Sequence, residues 1–154
     1  MIDPDDLLWL HHDEITHREA GAPSQTLLRR AISSFYYALF HQVCRDIADL
    51  HVGVTVRTGA RYALVYRNLE HRRAKAVFKK VVGDASASVD SVRVATAFVS
   101  LQESRHRADY DPVSKFKLAE VRSLFLDAEA AIGILKAGFT DKDLLLTRLL
   151  VLER

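Results

Sequence analysis

Arg30, Ser34, Tyr37 and His41 follow one another at steps of four, three and four residues, so on a helix they share one stripe. A guanidinium, a hydroxyl, a phenol and an imidazole in line offer hydrogen-bond donors, a fixed positive charge and a group that titrates near neutrality. A second concentration of such side chains is Arg105-His106-Arg107-Ala108-Asp109-Tyr110. There Arg105 and Asp109 are i, i+4 neighbours on a helix, as are Glu103 and Arg107. If the two helices pack together, the polar sets converge in a groove.

A third set is more diffuse. Arg57, Arg61, Arg67, Arg72, Arg73, Lys75, Lys79 and Lys80 make residues 57–80 the most basic region, with Tyr62 and Tyr66 among them. Cations that reach phosphates and aromatics that stack bases would serve RNA. A solvated helix face accounts for the same residues more simply and is the favoured reading. His11, His12, Asp13 and His17 invite a metal reading. His12 and His17 are not an i, i+4 pair, however, and no Cys supports them, so surface histidines without metal are expected. Cys44 is the single cysteine, which excludes an internal disulfide and fits a small buried hydrophobe in a reducing cytoplasm.

The elements that must position these groups are helical. Ser24–Leu50 contains no Gly or Pro, and Leu28, Ile32, Phe35, Leu39, Val43 and Ile47 recur at helical spacing, which predicts one long amphipathic helix capped by Ser24. Asp3-Pro4 marks an earlier short helix running to about Gly21. His51–Gly59 reads as an ordered loop, and helix resumes over Ala60–Lys80 with a break near Glu70-His71. Gly83–Ser88 is expected to be a flexible connection. Val89–Tyr110 is the next helix, stopped by Pro112, and Ser114 is expected to cap another that runs to about Lys136. The leucine-rich Leu144–Leu152 segment cannot hide all its apolar side chains on one face, so it either clamps the bundle or serves self-association.

The whole is an all-α expectation: an antiparallel up-and-down four-helix bundle with additional short helices, one domain over 1–154 with its core in 24–136 and a terminal helix in 140–154. Only 6 Gly and 3 Pro in 154 residues agree with long helices and short connections. Hydrophobic residues at 49% and charged ones at 27% are ordinary for a packed globule, and a net charge of +2 is too small to imply nucleic-acid binding by itself. No apolar run approaches the ~20 residues of a membrane helix. The acidic start is no secretory signal, so a cytoplasmic protein is expected. Gly-rich phosphate loops, GxSxG, HExxH and CxxC are absent, and with them the enzyme classes they serve.

Two motifs together carry a resemblance. Arg30-Ala31 followed by Phe35-Tyr36-Tyr37-Ala38-Leu39-Phe40-His41 resembles a branch of the HEPN superfamily whose central helix carries R-A…YYA-x-FH. Arg105-His106-Arg107-Ala108-Asp109-Tyr110 is similar to the R-x-x-A-D-Y pattern of the same branch. The resemblance covers Ser24 to about Lys136. It implies a four-helix bundle, a homodimer, and nucleotide or RNA as ligand. It also implies work in a toxin–antitoxin pair or beside a nucleotidyltransferase. The residues it assigns to the groove are Arg30, Tyr37, His41, Arg105, Arg107, Asp109 and Tyr110.

In catalytic members roughly four to six residues separate an Arg from a following His on a late helix, where imidazole handles protons and Arg stabilises charge at phosphorus. Here no His follows His106. Adjacent helix positions point about 100° apart, so Arg105 and His106 make poor partners, and Arg30 lies about three turns from His41. The expectation is therefore a nucleotide- or RNA-binding protein without the usual cleavage, needing no cofactor. The alternatives are a metal-independent endoribonuclease using His41 and Arg105, and a non-catalytic antitoxin-like interaction module using the Leu144–Leu152 helix.

Overall fold

The computed structural model describes residues 1–16 and 21–151 and is all-α, with no strand among them. Asp3 caps the first helix, accepting from the Asp5 amide, and Pro4 occupies its first position. The single early helix expected from the sequence is instead two short ones, α1 (Pro4–Trp9) and α2 (His12–Thr16). His17 lies outside the described residues.

The long helix α3 (Gln25–His51) is the axis of the fold. Ser24 caps it by accepting from the Leu27 amide, as its sequence demands. After it, Gly53 takes φ +111°, which a side chain would resist, and turns the chain into a 3-10 turn at Val54–Val56. α4 (Ala60–Tyr66) runs back along α3, and α5 (His71–Val82) starts after a break that falls where the sequence places it. α6 (Val89–Tyr110), capped by Ser88, and α7 (Leu118–Ala137) complete the bundle, and α8 (Lys142–Leu150) crosses its end.

α3 packs along both α6 and α7, and α6 also contacts α5 and α7. Arg29 near the start of α3 meets Ala108 near the end of α6, so these two run antiparallel. Gln25 meets Phe116 just ahead of α7, so α3 and α7 run the same way. Between them lies a continuous core that includes Phe35, Leu39 and Ile47 of α3, Phe78 of α5, Phe98 and Leu101 of α6, and Leu135 of α7. Phe78 and Phe98 have ring centroids 4.4 Å apart, and Phe35 meets Phe125 edge-on at 5.5 Å. Cys44 is buried in this core, and burial pushes its thiol up to about 12, the behaviour of a packing residue.

α8 clamps the bundle. Leu145, Leu146 and Leu149 are buried, whereas Leu144 faces solvent. Lys142 pairs with buried Asp46 of α3 at 3.0 Å, and Arg148 pairs with Asp84 at 3.1 Å. The Asp141 carboxylate accepts from the backbone and hydroxyl of Ser88. The Gly83–Ser88 connection expected to be flexible is therefore tied at both ends.

Ser114 does not cap α7. Its hydroxyl donates 2.6 Å to Asp111, and the helix starts only at Leu118, behind Lys117, with no side-chain cap. Residues 112–117 are held without helix by α3. Arg29 donates to the carbonyls of Ala108 at 2.7 Å, Asp111 at 2.9 Å and Ser114, and its guanidinium lies 5.6 Å from the Phe116 ring centre. Gln25 donates to the Phe116 carbonyl and accepts from its amide, both at 2.9 Å. Backbone groups that a helix would have paired are paired by these two side chains.

Arg29→Ala is expected to destabilise the protein by about 2 kcal/mol or more, because several carbonyls are deprived of a charged donor at once. Arg30→Ala, one residue on and exposed, is expected to change stability by less than about 0.5 kcal/mol. Urea unfolding of both variants checks this contrast, and equal effects would remove the clamp from the account.

Candidate functional site

The start of α3, the end of α6 and the turn between α1 and α2 enclose an open cavity of about 810 Å³. From α3 come Thr26, Arg29, Arg30, Ser33, Ser34 and Tyr37; from α6 Ala108, Asp109 and Tyr110; from the α1–α2 turn Leu10 and His11. The antiparallel packing of α3 on α6 brings these segments side by side, since both motifs sit at the same end of the bundle.

Four of the seven residues expected in a groove line this cavity: Arg30, Tyr37, Asp109 and Tyr110. Arg105 is not among the lining residues but stands behind them. Its Nη2 donates 2.7 Å to the Tyr37 hydroxyl, and its Nε lies 2.7 Å from Asp109 Oδ2, an ion pair without hydrogen-bond alignment. The guanidinium carbon lies 5.8, 5.3 and 5.4 Å from the ring centres of Tyr36, Tyr37 and Tyr110. A charge packed among three electron-rich rings and one carboxylate is a fixed strut for the cavity wall.

The other two expected residues lie elsewhere. His41 is one turn beyond Tyr37, its ring stacked at 6.3 Å on that phenol, and its Nδ1 shares a 2.8 Å hydrogen bond with the Tyr66 hydroxyl. It continues the polar stripe but does not line the cavity. Arg107 points toward α7, its Nη1 3.4 Å from Glu120 and its guanidinium 5.0 Å from the Phe116 ring centre. The expected Glu103–Arg107 neighbours do not pair, since Glu103 instead holds Lys75 at 3.1 Å and Lys79 at 3.4 Å.

Charge in the cavity is uneven. Arg29 is engaged by main-chain carbonyls. Arg30 is exposed, with no hydrogen bond or ion pair among the described residues. Asp109 is held by Arg105 and by the Ser33 hydroxyl. The wall thus presents one cation without a partner, hydroxyls from Thr26, Ser33 and Ser34, and the phenol rings of Tyr37 and Tyr110. Such a set offers electrostatic attraction and donors to a phosphate, with aromatic faces beside them for a flat apolar group.

Sequence reasoning missed four contributors. Arg29 and Thr26 belong to the same polar line as Arg30, which is two residues wide, and that doubling was a usable signal. His11 lines the cavity instead of standing in solvent, and its Nδ1 lies 3.8 Å from the Glu14 carboxylate. No local pattern foretells that, because it depends on where the α1–α2 turn docks. His71 is the fourth. Its Nδ1 shares a 2.6 Å hydrogen bond with the buried Tyr36 hydroxyl, and its ring stacks at 4.0 Å on Phe40. Burial holds the Tyr36 phenol well above its usual range.

The basic 57–80 region is largely occupied with the protein itself. Arg57 holds Asp49 through two hydrogen bonds, of 2.9 and 2.5 Å, and Arg73 donates to the Asn68 carbonyl at 2.7 Å. Tyr62 is buried with its hydroxyl on Asp49, and Tyr66 bonds His41, so neither ring is a free stacking platform. Among the described residues no group of three or more His, Cys, Asp or Glu side chains is placed to hold a metal. None of their helices is long and apolar enough to cross a membrane.

Comparison with family models, with curated proteins and with solved structures gave no match. What the fold and site define directly is an all-α helical bundle with a polar, tyrosine-walled cavity between its central helix and the end of α6.

Burial, and then the proximity of His71, holds His41 below the ordinary imidazole range; burial, and then Arg105, does the same to His71. Both imidazoles therefore take up protons less readily folded than unfolded, so stability is fully present above the unfolded value and declines as pH falls. The melting temperature is expected to drop between about pH 7 and about pH 5. The His41→Gln/His71→Asn double variant is expected to show a shallower pH dependence over that window. An unchanged slope in the variant would assign the acid lability to other groups.

Proposed function

We propose that the protein binds nucleotide or RNA in this cavity, as a HEPN-like helical domain without the usual cleavage chemistry. The observation that carries the reading is the convergence of two sequence-distant motifs, Arg30 to Tyr37 and Asp109-Tyr110, on one cavity of about 810 Å³. In this reading Arg30 meets a phosphate as the cation not already engaged. Tyr37 and Tyr110 flank the base, and Asp109 with Ser33 meets ribose hydroxyls. Arg105 acts through the residues it fixes and is a positioning residue. A role beside a nucleotidyltransferase or in a toxin–antitoxin pair, as a homodimer, belongs to the same proposal through the motif resemblance.

The endoribonuclease alternative has less support. Cleavage without metal needs an imidazole and a cation at one phosphodiester. His41 has its Nδ1 on Tyr66, and Arg105 is enclosed by tyrosines. The interaction-module alternative keeps only part of the surface named for it: Leu145, Leu146 and Leu149 are buried against the bundle, Leu144 and Val151 are exposed, and Leu152 lies outside the described residues.

Titration calorimetry with AMP and a short oligoadenylate tests the binding reading. Arg30→Ala is expected to weaken binding about tenfold or more at unchanged melting temperature, as removal of a charge-assisted phosphate bond would. Equal affinity in the variant and the wild type would overturn the assignment.

A further inference from the structure

Arg105 has two sides. One faces the tyrosine wall of the cavity; the other lines a second depression, of about 400 Å³, together with His71, Arg72, Lys75, Gln102 and His106. Three cationic side chains and two imidazoles meet there, and the lining includes no carboxylate. Two neighbouring acids are already engaged, Glu103 with Lys75 and Lys79, and Asp109 with Arg105, while Glu70 is exposed at the N-cap of α5. Arg72 is exposed and has no hydrogen bond or ion pair among the described residues. Moreover, α5 opens on His71-Arg72-Arg73 with no side-chain cap and no acid in its first turn. Cations at that end add to the positive pole of the helix and favour an arriving anion.

We propose that this depression is a second phosphate subsite, so that the ligand is a short single-stranded oligonucleotide and not a mononucleotide. The inference rests on nucleotide binding in the main cavity and extends it. Arg105 stands between the two hollows, touching Tyr37 and Tyr110 on one side and lining the depression on the other, and the rings of Tyr37 and His71 meet beside it at 5.9 Å. Over this divide the His106 ring packs 5.1 Å from that of Tyr110, leaving an aromatic ridge between Arg30 at one end and Arg72 with Lys75 at the other. A strand crossing the ridge sets one phosphate at each end and rests a base on the rings between, the arrangement that suits single strands without sequence preference. A mononucleotide fills one hollow and leaves the exposed Arg72 of the second unanswered.

The experiment compares AMP with hexaadenylate by titration calorimetry on the wild type, on Arg30→Ala and on the Arg72→Ala/Lys75→Ala double variant, each first checked for its helical circular dichroism. Hexaadenylate is expected to bind the wild type about tenfold or more tightly than AMP, and the double variant to bring the two ligands level. The dependence of hexaadenylate binding on salt should fall by about 0.7 in log–log slope for each phosphate that the variant no longer neutralises. If hexaadenylate and AMP bind the wild type alike, or the double variant keeps the full oligonucleotide gain, the second subsite is overturned. The cavity reading then still stands provided AMP binding depends on Arg30. If hexaadenylate binding depends on Arg72 and Lys75 but nothing depends on Arg30, the depression stands and the cavity reading falls. Absence of binding by either ligand overturns both.

Discussion

The guanidinium of Arg29 holds the corner between α6 and α7, and the remainder of the site depends on that corner. One planar donor set serves the carbonyls of Ala108, Asp111 and Ser114, the groups left without helical partners where α6 ends. Because the donor sits on α3, satisfying the end of α6 also fixes its distance from α3. Asp109 and Tyr110 belong to the last turn of α6, so their position opposite Ser33 and Tyr37 follows from the same contact. A lysine could not substitute, since a single ammonium lacks the fork that reaches separate carbonyls. The neighbouring Arg30 is released from structural duty by Arg29, which is why one of the two adjacent arginines lining the cavity is left without a partner among the described residues.

Most of the architecture was legible as periodicity. The long apolar stripe of α3, the cap at Ser24, the break before His71 and the stop at Pro112 are local signals, and each corresponds to local physics. The failures share one cause. Ser114 has the chemistry of a cap, but Asp111 accepts its hydroxyl, and Arg29 with Gln25 competes for the backbone that a helix would need. The Gly83–Ser88 segment has the composition of a flexible connection, yet Asp141, far along the chain, ties it down. Tertiary partners overrode propensity in both places, and no window of sequence contains them.

The site was legible to a similar depth. Residue types and spacing on α3 and α6 singled out Arg30, Tyr37, Asp109 and Tyr110, which line one cavity, but not the packing of the two helices that brings them there. They did not reveal that His41 turns toward Tyr66 or that Arg107 turns toward Glu120, because a helix stripe has width and its members diverge over several turns. The basic 57–80 region teaches the complementary lesson. Counted along the chain it is a run of cations; in three dimensions Asp49 and Glu103 answer several of them, and Arg72 is left where a second depression opens. Composition reports charge, and only packing reports which charges are still unanswered.

Trp9 is the protein's single tryptophan, and it ends α1 immediately before Leu10 and His11, which line the cavity mouth. Its indole is 45% exposed, meets Phe125 of α7 edge-on at 5.2 Å and lies 4.6 Å from the His12 ring. Any displacement of the α1–α2 turn must change how much water touches that indole. The fold therefore carries its own optical gauge at the rim, one chromophore whose emission distinguishes a docked turn from a lifted one without a label being attached.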